Sequence, residues 1–323
     1  MQPHCIHVSV RLIRFYNNNL SLWVILFGLI AYLYPPSFLI AGKLINWFFA
    51  AAMFGIGMVI QDEDYRNILK NPKPVLYGNL CQYTIMPLLA LFVSYVFALP
   101  KEITVGLVLT GAAPGAMTSN VISYLSGGDV TYSVSLTALA TLLSPVLTPL
   151  VTLLLIGERV PIDFFPMFIT IITTVVIPLF MGFMVRKHLP GFAGKHADLP
   201  AAISITAIVV ITSYVIARNK GNLTLATTII FVAVIIHNLL GMLLGFFAGA
   251  AAKFDFRKKK TLSIEIGMQN AGLGVVLALK HFSDETAIPA AIFTVWCILS
   301  ASLFVNLWKF IENKKSGQNR NPH

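Results

Sequence analysis

Charge is what this chain has least of. Only 11% of its 323 residues are Asp, Glu, Lys or Arg, against 57% hydrophobic residues, and the mean hydropathy is +0.79. That balance lies outside the range of ordinary soluble domains and excludes a polar globular fold. Cysteine is scarce too: Cys5, Cys81 and Cys297 have neither the number nor the spacing of a disulfide framework or a zinc site, so they read as free thiols. Long polar segments are missing between the apolar runs, which leaves no room for a soluble domain there. The net charge of +10 does not restore a nucleic-acid reading, because Lys and Arg fall between apolar runs of spanning length rather than along a face of a polar fold. The expected surroundings are a lipid bilayer, with no nucleic acid as partner.

What is present is a series of apolar runs. A helix rises about 1.5 Å per residue, so about twenty apolar residues cross the hydrocarbon. That ruler predicts an all-α polytopic protein with ten transmembrane helices, near 21–34, 39–60, 74–98, 103–126, 130–156, 163–186, 200–217, 225–252, 260–281 and 287–310. The first run ends at Pro35-Pro36 without a small-residue cleavage signature and is read as a retained span. Residues 1–20, where Arg11 and Arg14 interleave with apolar side chains, read as an interfacial segment or as a disordered one. Ten spans put 17 of the 23 Lys and Arg residues on the side of the N-terminus. The predicted location is therefore the inner (plasma) membrane with both termini, including a tail at 313–323, in the cytoplasm.

Ten spans divide into two sets of five, and an odd number per set makes the second insert upside down relative to the first. The predicted halves are 21–157 and 158–312. The fourth span is interrupted by Gly111-Ala112-Ala113-Pro114-Gly115-Ala116-Met117-Thr118-Ser119-Asn120. The ninth, fourth of its own half, is interrupted by Glu265-Ile266-Gly267-Met268-Gln269-Asn270-Ala271-Gly272. Proline and glycine weaken helix at both places. Third and eighth spans also correspond, one carrying Gln82-Tyr83 and the other His237-Asn238. Interrupted spans at equivalent positions point to the binding site of a transporter, since freed carbonyls coordinate cations and freed amides attract anions.

Every acidic residue except Glu265 falls in or beside a predicted loop. A carboxylate inside a span costs about 2.5–3.5 kcal/mol on insertion scales, which makes Glu265 a functional candidate in need of a partner. Snorkelling to the nearby surface is the bland alternative, but it leaves the weakened backbone around Glu265 unexplained. Ser119 and Asn120 lie at the first break, Glu265 and Gln269 at the second, Ser133 and Thr137 one turn apart on the fifth span, and Gln82 on the third. This oxygen-rich, thiolate-free set with one negative charge suits a hard cation. Sodium fits better than calcium or magnesium, which usually recruit more carboxylates.

The stretch from Gly111 to Pro145, with Thr118-Ser119-Asn120, Tyr124-Leu125 and Ser133, together with the E-x-G-M-Q-N-x-G-L run from Glu265 to Leu273, resembles the bile acid:sodium symporter (BASS) family. The resemblance extends from about Ser21 to Leu307. It implies a panel of spans one, two, six and seven and a core of spans three, four, five, eight, nine and ten, in which two discontinuous helices cross. It also implies two coupling sodium ions and no other cofactor. Sodium site 1 would use Ser119, Asn120, Ser133, Thr137 and Glu265. Sodium site 2 would use Gln82, Glu265 and Gln269 with the carbonyls of Ile266 and Met268. An organic anion would sit near Asn270, between panel and core.

Two departures from the bacterial pattern bear on that anion. Ala116-Met117-Thr118 stands where Gly-Thr-Ala is common, and Trp296-Cys297-Ile298 where Trp-His-Asn is common. Met117, Thr118, Cys297 and Ile298 thus enter the expected substrate contacts with fewer hydrogen-bonding groups, leaving bile acid-like, pantothenate-like and keto acid substrates open. The expected function is sodium-coupled symport of an organic anion by alternating access. A proton-coupled or exchange transporter would instead use Glu265 as its titrating group. An intramembrane enzyme would need a catalytic arrangement that His237 and His281 do not offer. Oligomeric state is not legible in the sequence.

Overall fold

The structure, a computed structural model, describes residues 15–17, 19–61, 63, 66, 69, 70, 72–158, 160–191, 198–222 and 225–318. Most of the interfacial segment expected over the first twenty residues, and the end of the expected tail, lie outside the described residues. Those that are described form helices and turns with no strand; one isolated bridge joins two loops. Numbered in chain order, the main helices are α1 (Leu20–Leu33), α2 (Pro36–Gly57), α3 (Pro72–Val96), α4 (Lys101–Gly111), α5 (Thr118–Leu125) and α6 (Val130–Ile156). After them come α7 (Phe164–His188), α8 (Leu199–Arg218), α9 (Leu225–Ala251), α10 (Phe256–Gly267), α11 (Ala271–His281) and α12 (Ile288–Gln318).

Among the described residues, seven helical segments are long and apolar enough to cross a membrane, and Leu22–Leu33 and Ala271–His281 are shorter apolar helices. The chain is a multi-pass membrane protein. Its outward face agrees, since Trp47, Leu80, Tyr95, Leu154 and Phe165 are exposed, an arrangement that lipid tolerates and water does not. The interior, conversely, encloses many polar side chains, among them Gln82, Ser119, Ser133, Thr137, Asn238, Glu265 and Gln269. Outside lipid supplies no hydrogen bonds, so these groups must find partners within the protein.

Helix packing follows two neighbourhoods. In the first, α2 packs against α7 and α8, and α8 against α1. Polar contacts secure these approaches: Ser204 Oγ donates to the Ala52 carbonyl at 3.2 Å, and Arg186 to the Met58 carbonyl at 3.2 Å. In the second, α9 packs on α10 and α3, and α3 on α4 and α6. Prolines sit inside α3 (Pro87) and α6 (Pro145, Pro149) without ending either helix; in α6 the Ser144 hydroxyl donates at 2.8 Å to the Thr141 carbonyl, four residues before Pro145. Tyr83, four residues before Pro87, is fixed by donating its hydroxyl to the Ala140 carbonyl at 2.8 Å.

Candidate functional site

Two breaks meet at the centre of the second neighbourhood. The first separates α4 from α5 over residues 112–117 and contains Pro114, which has no amide proton. The second separates α10 from α11 at Met268-Gln269-Asn270. Their backbones pair in antiparallel fashion, Gly115 opposite Gln269. The Ala116 amide donates to the Met268 carbonyl at 2.9 Å, and the Asn270 amide to the Pro114 carbonyl at 2.8 Å. Each break therefore satisfies backbone groups that the other leaves open, which no single kinked helix can do.

The helix ends facing the breaks are capped by side chains. Thr148 donates to the Ala112 carbonyl at 2.8 Å, closing α4, and Asn238 Nδ2 to the Gly267 carbonyl at 2.6 Å, closing α10. The Asn270 side chain accepts from the Leu273 amide at 3.3 Å and opens α11. Without such partners the terminal carbonyls and amides of a buried helix end would stay unsatisfied. Thr148 had no distinguishing sequence signal. Asn238 was marked by its polar dyad but not by its role.

Glu265 lies in the last turn of α10 with 2% of its surface exposed. Snorkelling is thereby excluded. Its Oε1 accepts from Ser119 Oγ at 2.5 Å and also from Ser133 Oγ; its Oε2 accepts from Thr137 Oγ1 at 2.8 Å. Asn120 Oδ1 stands beside the same hydroxyls, 2.9 Å from Ser133 Oγ and 3.3 Å from Thr137 Oγ1. These five side chains from three separate helices thus stand together. Ser123 belongs with them: it is fully buried, 3.1 Å from Ser133 Oγ. It was legible in principle, one turn after Ser119 on the same face of α5.

This cage has more oxygen lone pairs than protons. Ser133 brings a single hydroxyl proton yet faces acceptors on Glu265, Asn120 and Ser123. Surplus oxygen acceptors around one carboxylate are groups that could hold a hard cation. Gly115 closes the cage: a Cβ there would stand 3.1 Å from Glu265 Oε2, so the glycine lets the backbone pass close over the carboxylate.

Of the second expected group, Gln82, Gln269 and the Ile266 carbonyl are in contact. Gln82 Nε2 donates to Gln269 Oε1 at 2.8 Å, and Gln269 Nε2 donates to the Ile266 carbonyl at 2.8 Å. The Met268 carbonyl serves the bridge. Expected substrate contacts are more scattered. Met117 lines a narrow cleft with Ile60, Ala138, Thr141, Val176 and Leu179, while Thr118 is exposed beside it. Asn270 is half-buried, its Nδ2 4.0 Å from Met53 Sδ. Cys297 is buried and donates within its own helix to the Thr294 carbonyl at 3.6 Å; neither it nor Ile298 lines the cleft.

Comparison with known proteins follows the same lines. The sequence profile described as the Sodium Bile acid symporter family matches residues 47–227. The chain belongs to this symporter family. An uncharacterized sodium-dependent transporter, YocS of Bacillus subtilis, is 37% identical over 305 residues, covering 94% of this chain and 95% of that protein. A probable sodium/metabolite cotransporter, the chloroplastic BASS1 of Arabidopsis thaliana, is 30% identical over 89% of this chain and 72% of its own length. The corresponding protein of Oryza sativa subsp. japonica is 31% identical over 92% of this chain and 73% of its own length. This symporter family consists of transporters, so the buried Glu265 cage is not read as an enzyme's active site. The profile match ends before Glu265, whereas the match to the Bacillus protein covers nearly the whole chain.

Proposed function

We propose that this family member is a sodium-coupled secondary active symporter that imports a small organic anion across the plasma membrane. The observation that carries the reading is the convergence of Ser119, Asn120, Ser133 and Thr137 on the buried Glu265 beside two paired helix breaks. The sodium-dependent names of its relatives support the same coupling.

In this reading the short α1 and the two broken pairs, α4–α5 and α10–α11, each make one crossing and complete a set of ten. Residues 21–157 and 158–312 are then two inverted halves. The neighbourhood of α1, α2, α7 and α8 is the panel; the remaining helices form the core. Glu265, its hydroxyl partners Ser119, Ser133 and Thr137, and Asn120 hold one sodium ion. Gln82 and Gln269, with Glu265 and the Ile266 and Met268 carbonyls, hold a second. Sodium neutralises Glu265 and orders the crossing, which raises affinity for the anion; by linkage the anion raises sodium affinity by the same factor. The anion, a bile acid-like, pantothenate-like or keto acid carboxylate, is held between panel and core, near Asn270. Movement of core against panel then exposes it to alternate sides, with both termini in the cytoplasm.

Uptake of candidate carboxylates into proteoliposomes tests this. Transport is expected to require sodium, to fail when choline replaces sodium at fixed pH, and to lose sodium dependence in Glu265→Ala and Gln269→Ala. Uptake that persists in choline and follows an imposed pH gradient would assign Glu265 to proton coupling instead.

A further inference from the structure

Lys260 is a cation that the fold encloses almost completely, with 2% of its surface exposed. By charge alone it groups with its neighbours Arg257–Lys259 in the first turn of α10, yet it is turned inward, five residues before Glu265. Its Nζ donates to the Ser126 carbonyl at 2.5 Å and lies 5.2 Å from the centre of the Phe256 ring. Ser126 is the residue at which α5 ends. Terminal helix carbonyls lack partners within the helix and carry the negative end of its dipole, so an ammonium there is well placed.

Three further contacts tie α10 to the same turn. Arg257 donates to the Gly128 carbonyl at 3.2 Å, the Asp129 amide donates to Thr261 Oγ1 at 2.8 Å, and Lys258 Nζ lies 3.9 Å from Asp129 Oδ2. The turn is shaped for this. Gly127 has φ +67°, and a Cβ on Gly128 would fall 2.6 Å from Thr261 Oγ1. Residues 126–129 are therefore held between α5, α6 and the first turns of α10.

These are the three helices that carry the carboxylate cage. Ser119, Asn120 and Ser123 precede the turn on α5, Ser133 and Thr137 follow it on α6, and Glu265 follows Lys260 on α10. An apolar side chain would fill the space of Lys260, but only a donor aimed at a particular carbonyl fixes how α10 is registered against α5. We infer that Lys260 is a positioning residue for the cation site: with Thr261 it holds α5, α6 and α10 in the register at which the six cage side chains face one another. The inference rests on the reading of Glu265 as a sodium ligand.

The test measures sodium binding without any organic substrate. Purified protein in detergent is unfolded thermally at rising NaCl, with choline chloride keeping ionic strength constant, and the sodium concentration giving half of the stabilisation is read. Lys260→Met is expected to raise that concentration about tenfold or more, the range seen when groups that orient a metal ligand are removed. Thr261→Val is expected to move it in the same direction. Should Lys260→Met not fold, Thr261→Val alone decides. A purely structural role would lower the midpoint in choline and leave the sodium half-point where it was; with Glu265→Ala unresponsive to sodium, that result overturns the inference and spares the site. A Glu265→Ala variant with the wild-type sodium response overturns both.

Discussion

Arg218 and Asp284 form an ion pair, with Nε of the guanidinium donating to Oδ2 at 2.7 Å. It joins the end of α8 to the turn between α11 and α12. Asn219 adds a bond from Nδ2 to the Asp284 carbonyl at 3.1 Å, and nearby Thr170 Oγ1 lies 2.8 Å from His281 Nε2. In the proposed architecture these contacts bind panel to core at one end of the molecule. The charged side chains are 53% and 36% exposed, and an exposed pair contributes only about 0–1 kcal/mol. Such a contact can break during transport. A variant carrying Arg218→Cys and Asp284→Cys, with Cys5, Cys81 and Cys297 changed to serine, is expected to lose uptake on oxidation and recover it on reduction. Equal uptake in both states would argue against relative movement at this junction.

Single cage hydroxyls should matter for sodium more than for folding. Ser133→Ala and Thr137→Val each remove a hydroxyl that contacts Glu265. The expected result is a sodium half-saturation about 10–100-fold higher. Sodium-dependence curves of uptake, taken beside thermal midpoints in choline, distinguish this from general loss of stability.

Gln82 and Gln269 are predicted to act as a unit, because one donates directly to the other at 2.8 Å. Gln82→Leu leaves Gln269 Oε1 without that donor, so the second change, Gln269→Leu, should cost less in the Gln82→Leu background than alone. A double-mutant cycle on sodium half-saturation is expected to show a coupling of about 0.5–3 kcal/mol. Additive effects would separate the two amides functionally.

Asn238 makes a different prediction. Its Nδ2 caps the Gly267 carbonyl at 2.6 Å where α10 ends, and an unsatisfied buried acceptor costs about 1–3 kcal/mol. Asn238→Leu should lower the thermal midpoint in choline as well as in sodium, by similar amounts, because the lost bond belongs to the helix end and not to the cage.

Much of this was legible in one dimension. The apolar segments, the weakened helix around Pro114 and Gly267, and the lone embedded carboxylate follow from local propensity and hydropathy, which act over neighbouring residues. The oxygen-rich residue set is legible as well, and the structure brings Ser119, Asn120, Ser133 and Thr137 to Glu265. Less was legible where partners lie far apart. Thr148, reaching Ala112 from 36 positions away, looks like any threonine in an apolar helix. Lys260 reads as one more loop cation until its carbonyl partner, 134 positions distant, is known. Cys297 and Ile298 enter the expected substrate contacts through sequence correspondence alone, and only packing reveals that the Cys297 thiol is buried and donates to the Thr294 carbonyl of its own helix.

Membrane entry, the places where helices weaken and the need of Glu265 for company are all readable along the chain, because each depends on the solvation and backbone preference of neighbouring residues. Who that company is depends on packing. Gly115 meets Gln269, and Glu265 turns inward to three hydroxyls rather than out to the surface. The physical reason is that in a dry interior each freed backbone group and each charge must be satisfied by protein, and which protein group does so is fixed by how distant helices pack.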